Sequence, residues 1–318
     1  MDASPRRTRL QRKQLLAASS SAPIEQTPAQ AENTKSNTTF EQITLLPDRL
    51  PPTLTKLPRG DHKLLLHKQS LLRESPIPVP SDFTAHSPDA VAATLVFAQP
   101  EAGTAVCIDP SGLLLTCSHC VAETASDLDL AKTHWLLFAS GTIVAARCVA
   151  WDGRSDLALL RVIATQQGQC RAQDRGLSVS ASFLFPAVAV ADCPPKLGAK
   201  LVCVGHPGSE DLEAATSGVR TGYDVLHLSE GRYRGCAEGQ DPGDNSEIGA
   251  LKHDCWTYWG HSGAPLLERS GGRLVGLHSS WDDDTGMRRG VPLETIREFL
   301  EKNMEHPSPR PELKEAVF

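Results

Sequence analysis

The chain has 318 residues, and its 38 acidic against 32 basic side chains leave a formal net charge of −6. That balance speaks against nucleic acid as the main partner, and no stretch is apolar for long enough to span a membrane as a helix. Nine cysteines is an odd number, and Leu15-Leu16-Ala17-Ala18 is too short an apolar core for a secretory signal. The thiols are therefore expected to be mostly reduced, in an intracellular setting such as cytoplasm or nucleus.

Residues 1–80 are dominated by Ser, Thr, Gln and Pro and nearly lack aromatic side chains. Such a segment buries too little apolar surface to offset the entropy of ordering, so it is expected to be unfolded. Arg6, Arg7, Arg9, Arg12 and Lys13 form a basic cluster within it. The cluster reads as a solvated tail, a nuclear-type basic patch or a mitochondrial presequence. One ordered domain is expected over residues 81–303, and a short tail over 304–318.

From Ala90 onward, short β-type runs alternate with turns. The first covers 91–97. Residues 104–109 and 113–116 flank the turn Asp109-Pro110-Ser111-Gly112 and read as a hairpin. Further runs fall at 133–138, 142–149, 157–162, 187–190, 200–204 and 274–277, with another entering Pro292. This texture predicts an all-β barrel or sandwich architecture. One helix is expected near the end, where Leu293, Ile296, Phe299 and Leu300 recur at helical spacing and Thr295 is a candidate cap. The stretches 165–183 and 223–250 read as insertions without an assignable role.

Chemistry concentrates in three places. In Gly260-His261-Ser262-Gly263-Ala264-Pro265, two glycines permit backbone geometries closed to other residues. The N–H groups of Gly260 and Ser262 can then converge on one spot, as an oxyanion hole requires. Ser262 is a weak nucleophile unless a histidine and a carboxylate activate it. His119 follows the apolar run Leu113-Leu114-Leu115-Thr116, where a base would reach the rim of a sheet. Asp156 lies at the start of Leu157-Ala158-Leu159-Leu160, placed for burial against an imidazole. Each has a plainer reading in isolation: a common glycine turn, a structural histidine, an aspartate closing a turn.

Together, T-x-x-H after an apolar strand, D-L-A-L-L and G-x-S-G-x-P-L resemble the chymotrypsin-like serine proteases. The texture is nearest to that of HtrA-type proteases and glutamyl endopeptidases. Residues 103–112 resemble the glycine-led strand and hairpin before the histidine of those enzymes, and 196–207 resemble the strand that opens their second barrel. The resemblance covers about residues 88 to 303. It implies two six-stranded antiparallel barrels with a cleft between them, Ser262 as nucleophile, His119 as base and Asp156 as its orienting carboxylate. It implies polypeptide substrates and no metal or cofactor. Two positions depart from the pattern: His261 replaces the usual Asp or Asn, and Ala264 replaces Gly or Ser. His261 also argues against activation by a newly cut N-terminus.

In glutamyl endopeptidases, and in related viral proteases that cut after glutamine, a Thr and a His occupy the positions of Thr257 and His278. The resemblance therefore implies a preference for Glu or Gln before the scissile bond. A hydroxyl and an imidazole can hydrogen-bond either group. Trp256 stands where a trypsin-like basic preference would want an acid. Ser279, Ser280 and Trp281 would form the strand edge that pairs with extended substrate. Cys117 and Cys120 make a lone C-x-x-C, short of the four ligands of a structural zinc site. The second functional reading is a protease-fold module that captures peptides without cutting them, kept open by His261 and Ala264.

Overall fold

The computed structural model describes residues 43–86, 89–98, 103–166, 184–209, 211, 214–216 and 218–304. Two closed antiparallel barrels of six strands each make up the bulk of it. The first is built from β2 (Thr94–Phe97), β3 (Thr104–Asp109), β4 (Leu113–Thr116), β5 (Thr133–Phe138), β6 (Ile143–Asp152) and β7 (Leu157–Gln166). Its strands run in the order β7-β4-β3-β2-β5-β6, and β6 closes back on β7. Every residue of β2 and β4 is buried, which explains their continuous apolar runs: one side faces the barrel interior, and the other is covered by the rest of the fold.

The second barrel uses β8 (Lys200–Gly205), β9 (His227–Cys236), β10 (Leu251–His253), β11 (Pro265–Glu268), β12 (Leu274–Trp281) and β13 (Arg288–Pro292). The order is β10-β13-β12-β11-β8-β9, and β9 pairs with β10 to close it. Residues 227–236, within a stretch expected to be an insertion, are thus a barrel strand. Of its ten residues only Ser229 is buried, so no apolar alternation marked it. The expected strand at 187–190 reduces to a single bridge, Val190 to Leu274.

A C-terminal helix at Leu293–Asn303 buries Leu293, Ile296, Phe299 and Leu300 as their spacing requires. Thr295 is not its cap. Pro292 holds that position, and the Thr295 hydroxyl donates to the carbonyl of Pro242 at 2.7 Å. Among the described residues no helix is long and apolar enough to cross a membrane. The eight cysteines described are free thiols; Cys170 lies outside the described residues.

Residues 43–80, expected to be unfolded, are built into the fold; the basic cluster and the rest of 1–42 lie outside the described residues. Strand β1 (Thr44–Leu46) pairs in parallel with β7. Helix α1 (Pro52–Thr55) leads into α2 (Arg59–Glu74), which buries His62, Leu65, Lys68, Gln69 and Leu72. The spacing is helical, but three of those five are polar, so composition concealed a core-facing stripe. Hydrogen bonds offset their burial. Lys68 Nζ donates to the Phe97 carbonyl at 2.9 Å, and Gln69 Nε2 donates to Gly141 O at 2.8 Å and Gln166 Oε1 at 2.7 Å. Helix α3 (Ser81–His86) reaches the second barrel. There Arg269 lies over the buried Phe83 ring and pairs with Asp82 and Glu230.

Candidate active site

Strand pairing brings the first two residues together. Strand β4 pairs with β7 in the register Thr116 to Ala158. The residues just after Thr116 and just before Ala158 therefore emerge at the same end of the sheet. His119 sits there in a single 3₁₀ turn, Ser118–Cys120. Asp156 sits opposite in the left-handed region at φ +55°, which an aspartate tolerates better than most side chains. His119 Nδ1 lies 2.8 Å from Asp156 Oδ1 and 3.1 Å from Oδ2.

Asp156 has no exposed side-chain surface, whereas His119 keeps 12%. A carboxylate so enclosed is costly unless donors surround it. Besides the imidazole it accepts from the Ser118 hydroxyl at 2.9 Å, the Ser279 hydroxyl at 2.6 Å and the His119 N–H at 3.4 Å. The carboxylate places the imidazole proton on Nδ1 and leaves the Nε2 lone pair for proton transfer. Trp151 Nε1 donates to the Ser118 carbonyl at 3.0 Å and fixes the turn from behind. On the other side, Asn245 N–H donates to the Arg154 carbonyl at 2.8 Å, and Arg154 pairs with Asp241. The stretch 237–250 thus braces the turn that delivers Asp156.

Ser262 arrives from the second barrel. Gly260 and Gly263 have φ of +98° and +81°. A Cβ on Gly263 would lie 2.1 Å from the Thr104 carbonyl, so no other residue fits there. Three of the loop carbonyls pair with backbone donors: Trp259 O accepts from Gly208 N–H at 2.6 Å, His261 O from Ala264 N–H at 2.7 Å, and Ser262 O from Thr104 N–H at 2.8 Å. Among the described residues, no protein acceptor pairs with the N–H of Gly260 or of Ser262. The Ser262 hydroxyl donates to the Ser279 carbonyl at 3.3 Å rather than to the imidazole. Hydrogen bonds of this kind are often long or unmade in unliganded sites.

His261 is wholly buried, and burial pushes its pKa down to about 3. Its Nδ1 lies 3.1 Å from both the N and O of Tyr258. The ring has room only because residue 205 is glycine, where a Cβ would come within 2.5 Å of the imidazole. Packing, not charge, shapes the loop at this position.

Thr257 is buried, and its hydroxyl has no protein partner. His278 is buried too, with Nδ1 3.1 Å from His253 Nε2. Desolvation holds His278 well below the usual histidine range, reinforced by His253, His261 and Arg288; His253 is pushed down to about 3. His253 Nδ1 has no partner. An unpaired buried acceptor costs less than an unpaired donor, so the favoured tautomer has His253 Nε2–H donating to His278 Nδ1. That leaves His278 Nε2–H as the donor available to a ligand.

Strand β12 outruns β11, whose pairing ends at Leu277, so residues 279–281 keep β13 on one side and an open edge on the other. The Ser280 hydroxyl is turned to the Gly249 N–H at 3.3 Å. Trp281 packs edge-on against Trp259 with centroids 4.5 Å apart. Sequence reasoning missed Ser118, Trp151, His253, Trp259 and the Ser279 hydroxyl as parts of the site. None belongs to a spacing pattern; only barrel closure brings them in.

The C-x-x-C thiols pack around the site: Cys117 Sγ donates to His278 O and Cys120 Sγ to Ser262 O, each at 3.4 Å. Cys117, His119 and Asp156 are the one group among the described residues with metal-ligand spacing, their donor atoms lying within 4.8 Å of one another. The hydrogen bonds above already account for all three.

A family model described as a trypsin-like peptidase domain matches residues 103–277. Similar solved structures include a serine endoprotease from Yersinia pestis. It is 19% identical with a TM-score of 0.46, over 71% of this chain and 67% of that one. Another is Rv3671c from M. tuberculosis H37Rv in a serine-to-alanine, inactive form, 19% identical with a TM-score of 0.45, over 72% and 96% of the two chains. No curated protein sequence matches this chain.

Proposed function

This chain belongs to the family of trypsin-like peptidase domains, and from that premise we propose a mechanism in which Ser262, His119 and Asp156 act as one triad. The protein is a serine-type endopeptidase, and its substrates are polypeptides. In the proposed reaction His119 Nε2 takes the proton of the Ser262 hydroxyl as its oxygen attacks the scissile carbonyl. The resulting oxyanion is held by the N–H groups of Gly260 and Ser262. His119 then gives the proton to the leaving amine, and a water repeats the sequence on the acyl-enzyme. Asp156 stabilises the imidazolium throughout. The observation that carries this reading is the 2.8 Å pairing of His119 with the enclosed Asp156, beside two loop N–H groups that no protein acceptor uses.

For specificity the reading is Glu or Gln before the cut bond. It is supported by the unpartnered Thr257 hydroxyl and by His278, held by His253 with its outer nitrogen as donor. A side-chain carbonyl or carboxylate oxygen would satisfy both groups, and a site built this way rejects apolar analogues because its own polar atoms would stay unpaired. Burial holds His278 neutral, so it offers a hydrogen bond rather than a charge to the substrate side chain. The balance between Gln and Glu should not follow a His278 titration between pH 6 and 8.

The alternative, a peptide-binding module without turnover, draws support from the Ser262 hydroxyl resting on Ser279 O. Cleavage of a mixed peptide library at two pH values, with Ser262→Ala as control, tests the whole reading. Cuts after Gln and Glu that vanish in the variant support it. A dominant preference for Arg, Leu or Phe removes the pocket assignment, and equal inertness of both proteins favours the binding module.

A further inference from the structure

Thr104 opens β3 in the first barrel and is wholly buried, yet four hydrogen bonds converge on it from elsewhere. Its N–H donates to the Ser262 carbonyl, and its own carbonyl accepts from the Thr116 hydroxyl at 2.7 Å. The hydroxyl lies 3.0 Å from the His206 nitrogen and 3.1 Å from the Gly260 carbonyl. Its polarity is unambiguous. A backbone N–H can only donate, so the hydroxyl accepts from His206 and spends its single proton on Gly260 O.

We propose that Thr104 is a positioning residue: its hydroxyl holds the Gly260–His261 peptide so that the N–H groups on either side of it face the oxyanion. This deepens the catalytic reading given above and rests on it. A trans peptide points its C=O and N–H in opposite directions. The Trp259–Gly260 peptide is anchored through its carbonyl to Gly208 N–H, and the His261–Ser262 peptide through its carbonyl to Ala264 N–H. Their N–H groups, those of Gly260 and Ser262, are thereby aimed the other way. The peptide between them is the hinge: turning it changes ψ of Gly260 and φ of His261 and swings both donors. Gly260, at φ +98°, offers little resistance of its own, because glycine crosses between backbone regions freely. Thr104 Oγ1 and the Tyr258 carbonyl, which accepts the His261 N–H at 3.0 Å, hold that peptide at its two ends. The first barrel thus fixes a donor pair that belongs entirely to the second.

Thr104→Val in the full-length protein removes the hydroxyl while keeping the shape. Because it misdirects donors rather than deleting one, kcat is expected to fall by about 10- to 100-fold with KM nearly unchanged. Affinity for a peptide boronate should fall in parallel, and Thr104→Ser should restore both. Thr104→Cys, with a weak donor of similar size, reads the same loss if the valine variant does not fold. Wild-type kcat in the Val or Cys variant, a defect confined to KM, or a Ser variant as impaired as Val would overturn the proposal. If wild type itself cleaves nothing, the catalytic reading has failed instead. Crystal structures then decide: the Val variant should show the Gly260–His261 peptide turned, and an unchanged loop overturns the proposal.

Discussion

The two halves of the site differ in how their polar atoms are satisfied. Around Asp156, every donor points inward at one carboxylate: Ser118 Oγ, His119 N and Nδ1, and Ser279 Oγ. On the Ser262 side the buried Thr257 hydroxyl, His253 Nδ1 and His261 Nε2 have no partner among the described residues. The first half is complete without substrate, which is what the proposed role of His119 as proton-transfer base requires. In the second half the proposed function leaves the Thr257 hydroxyl and His278 Nε2–H to pair with substrate, which is how a pocket turns binding into selectivity. Ser279 joins the two, since its hydroxyl serves Asp156 while its carbonyl receives Ser262.

The sharpest way to break the finished half is Asp156→Asn. The amide cannot hold the imidazole proton on Nδ1, and kcat should fall by about 10⁴-fold with the far-UV circular dichroism unchanged. Steady-state kinetics on a Gln-containing peptide measures it. A loss below tenfold would mean that Asp156 only closes its turn.

Acid should undo the second half first. His253 and His261 are pushed down to about 3, and His206 and His278 are also well below the ordinary value, all by burial. Lowered folded-state values mean that the unfolded chain binds protons more tightly. Their contribution is therefore whole above about pH 6.5 and is lost as pH falls from there toward 3. Each such histidine should cost about 1.4 kcal/mol of stability per pH unit in that window. Urea unfolding at pH 7 and pH 5.5 measures the slope. A stability unchanged between them would show that these imidazoles are solvated.

Ser279→Ala takes one donor from Asp156 without touching its pairing to His119. Hydrogen bonds to charged groups are worth about 1.5–3 kcal/mol, so kcat/KM should drop by about ten- to a hundredfold. A drop as large as that of Asp156→Asn would instead place Ser279 on the reaction path. The smallest expected effect is Thr257→Val: stability stays the same or rises, since an unpaired buried hydroxyl disappears. Discrimination of Gln over Leu should nevertheless collapse in competitive cleavage of the two peptides. Destabilisation by more than about 1 kcal/mol would mean that the hydroxyl is already satisfied.

How much of this was legible in the sequence follows from where each residue sits. His119, Asp156 and Ser262 stand at the ends of apolar runs beside turns, so both their position and their chemistry could be read. The strands of the first barrel were visible because their apolar runs are largely buried, wholly so in β2 and β4. Strand β9 was not, because His227–Cys236 alternates between half-buried and exposed positions with almost no apolar side chain facing in. Helix α2 was hidden for another reason: Lys68 and Gln69 are core residues satisfied by Phe97 O, Gly141 O and Gln166, partners no local pattern reveals. The depressed pKa of His278 likewise comes first from burial and then from His253, which lies 25 residues away in sequence and comes within reach only when β10 and β12 flank β13.

The central claim, that Ser262 is a nucleophile activated by His119 and Asp156, is tested most directly by fluorophosphonate labelling followed by intact mass and peptide mapping. Wild type should gain one adduct, mapped to Ser262, and Asp156→Asn should acquire it far more slowly, while Ser262→Ala gains none. A wild-type protein that stays unlabelled, or that labels no faster than Ser262→Ala, would contradict the account.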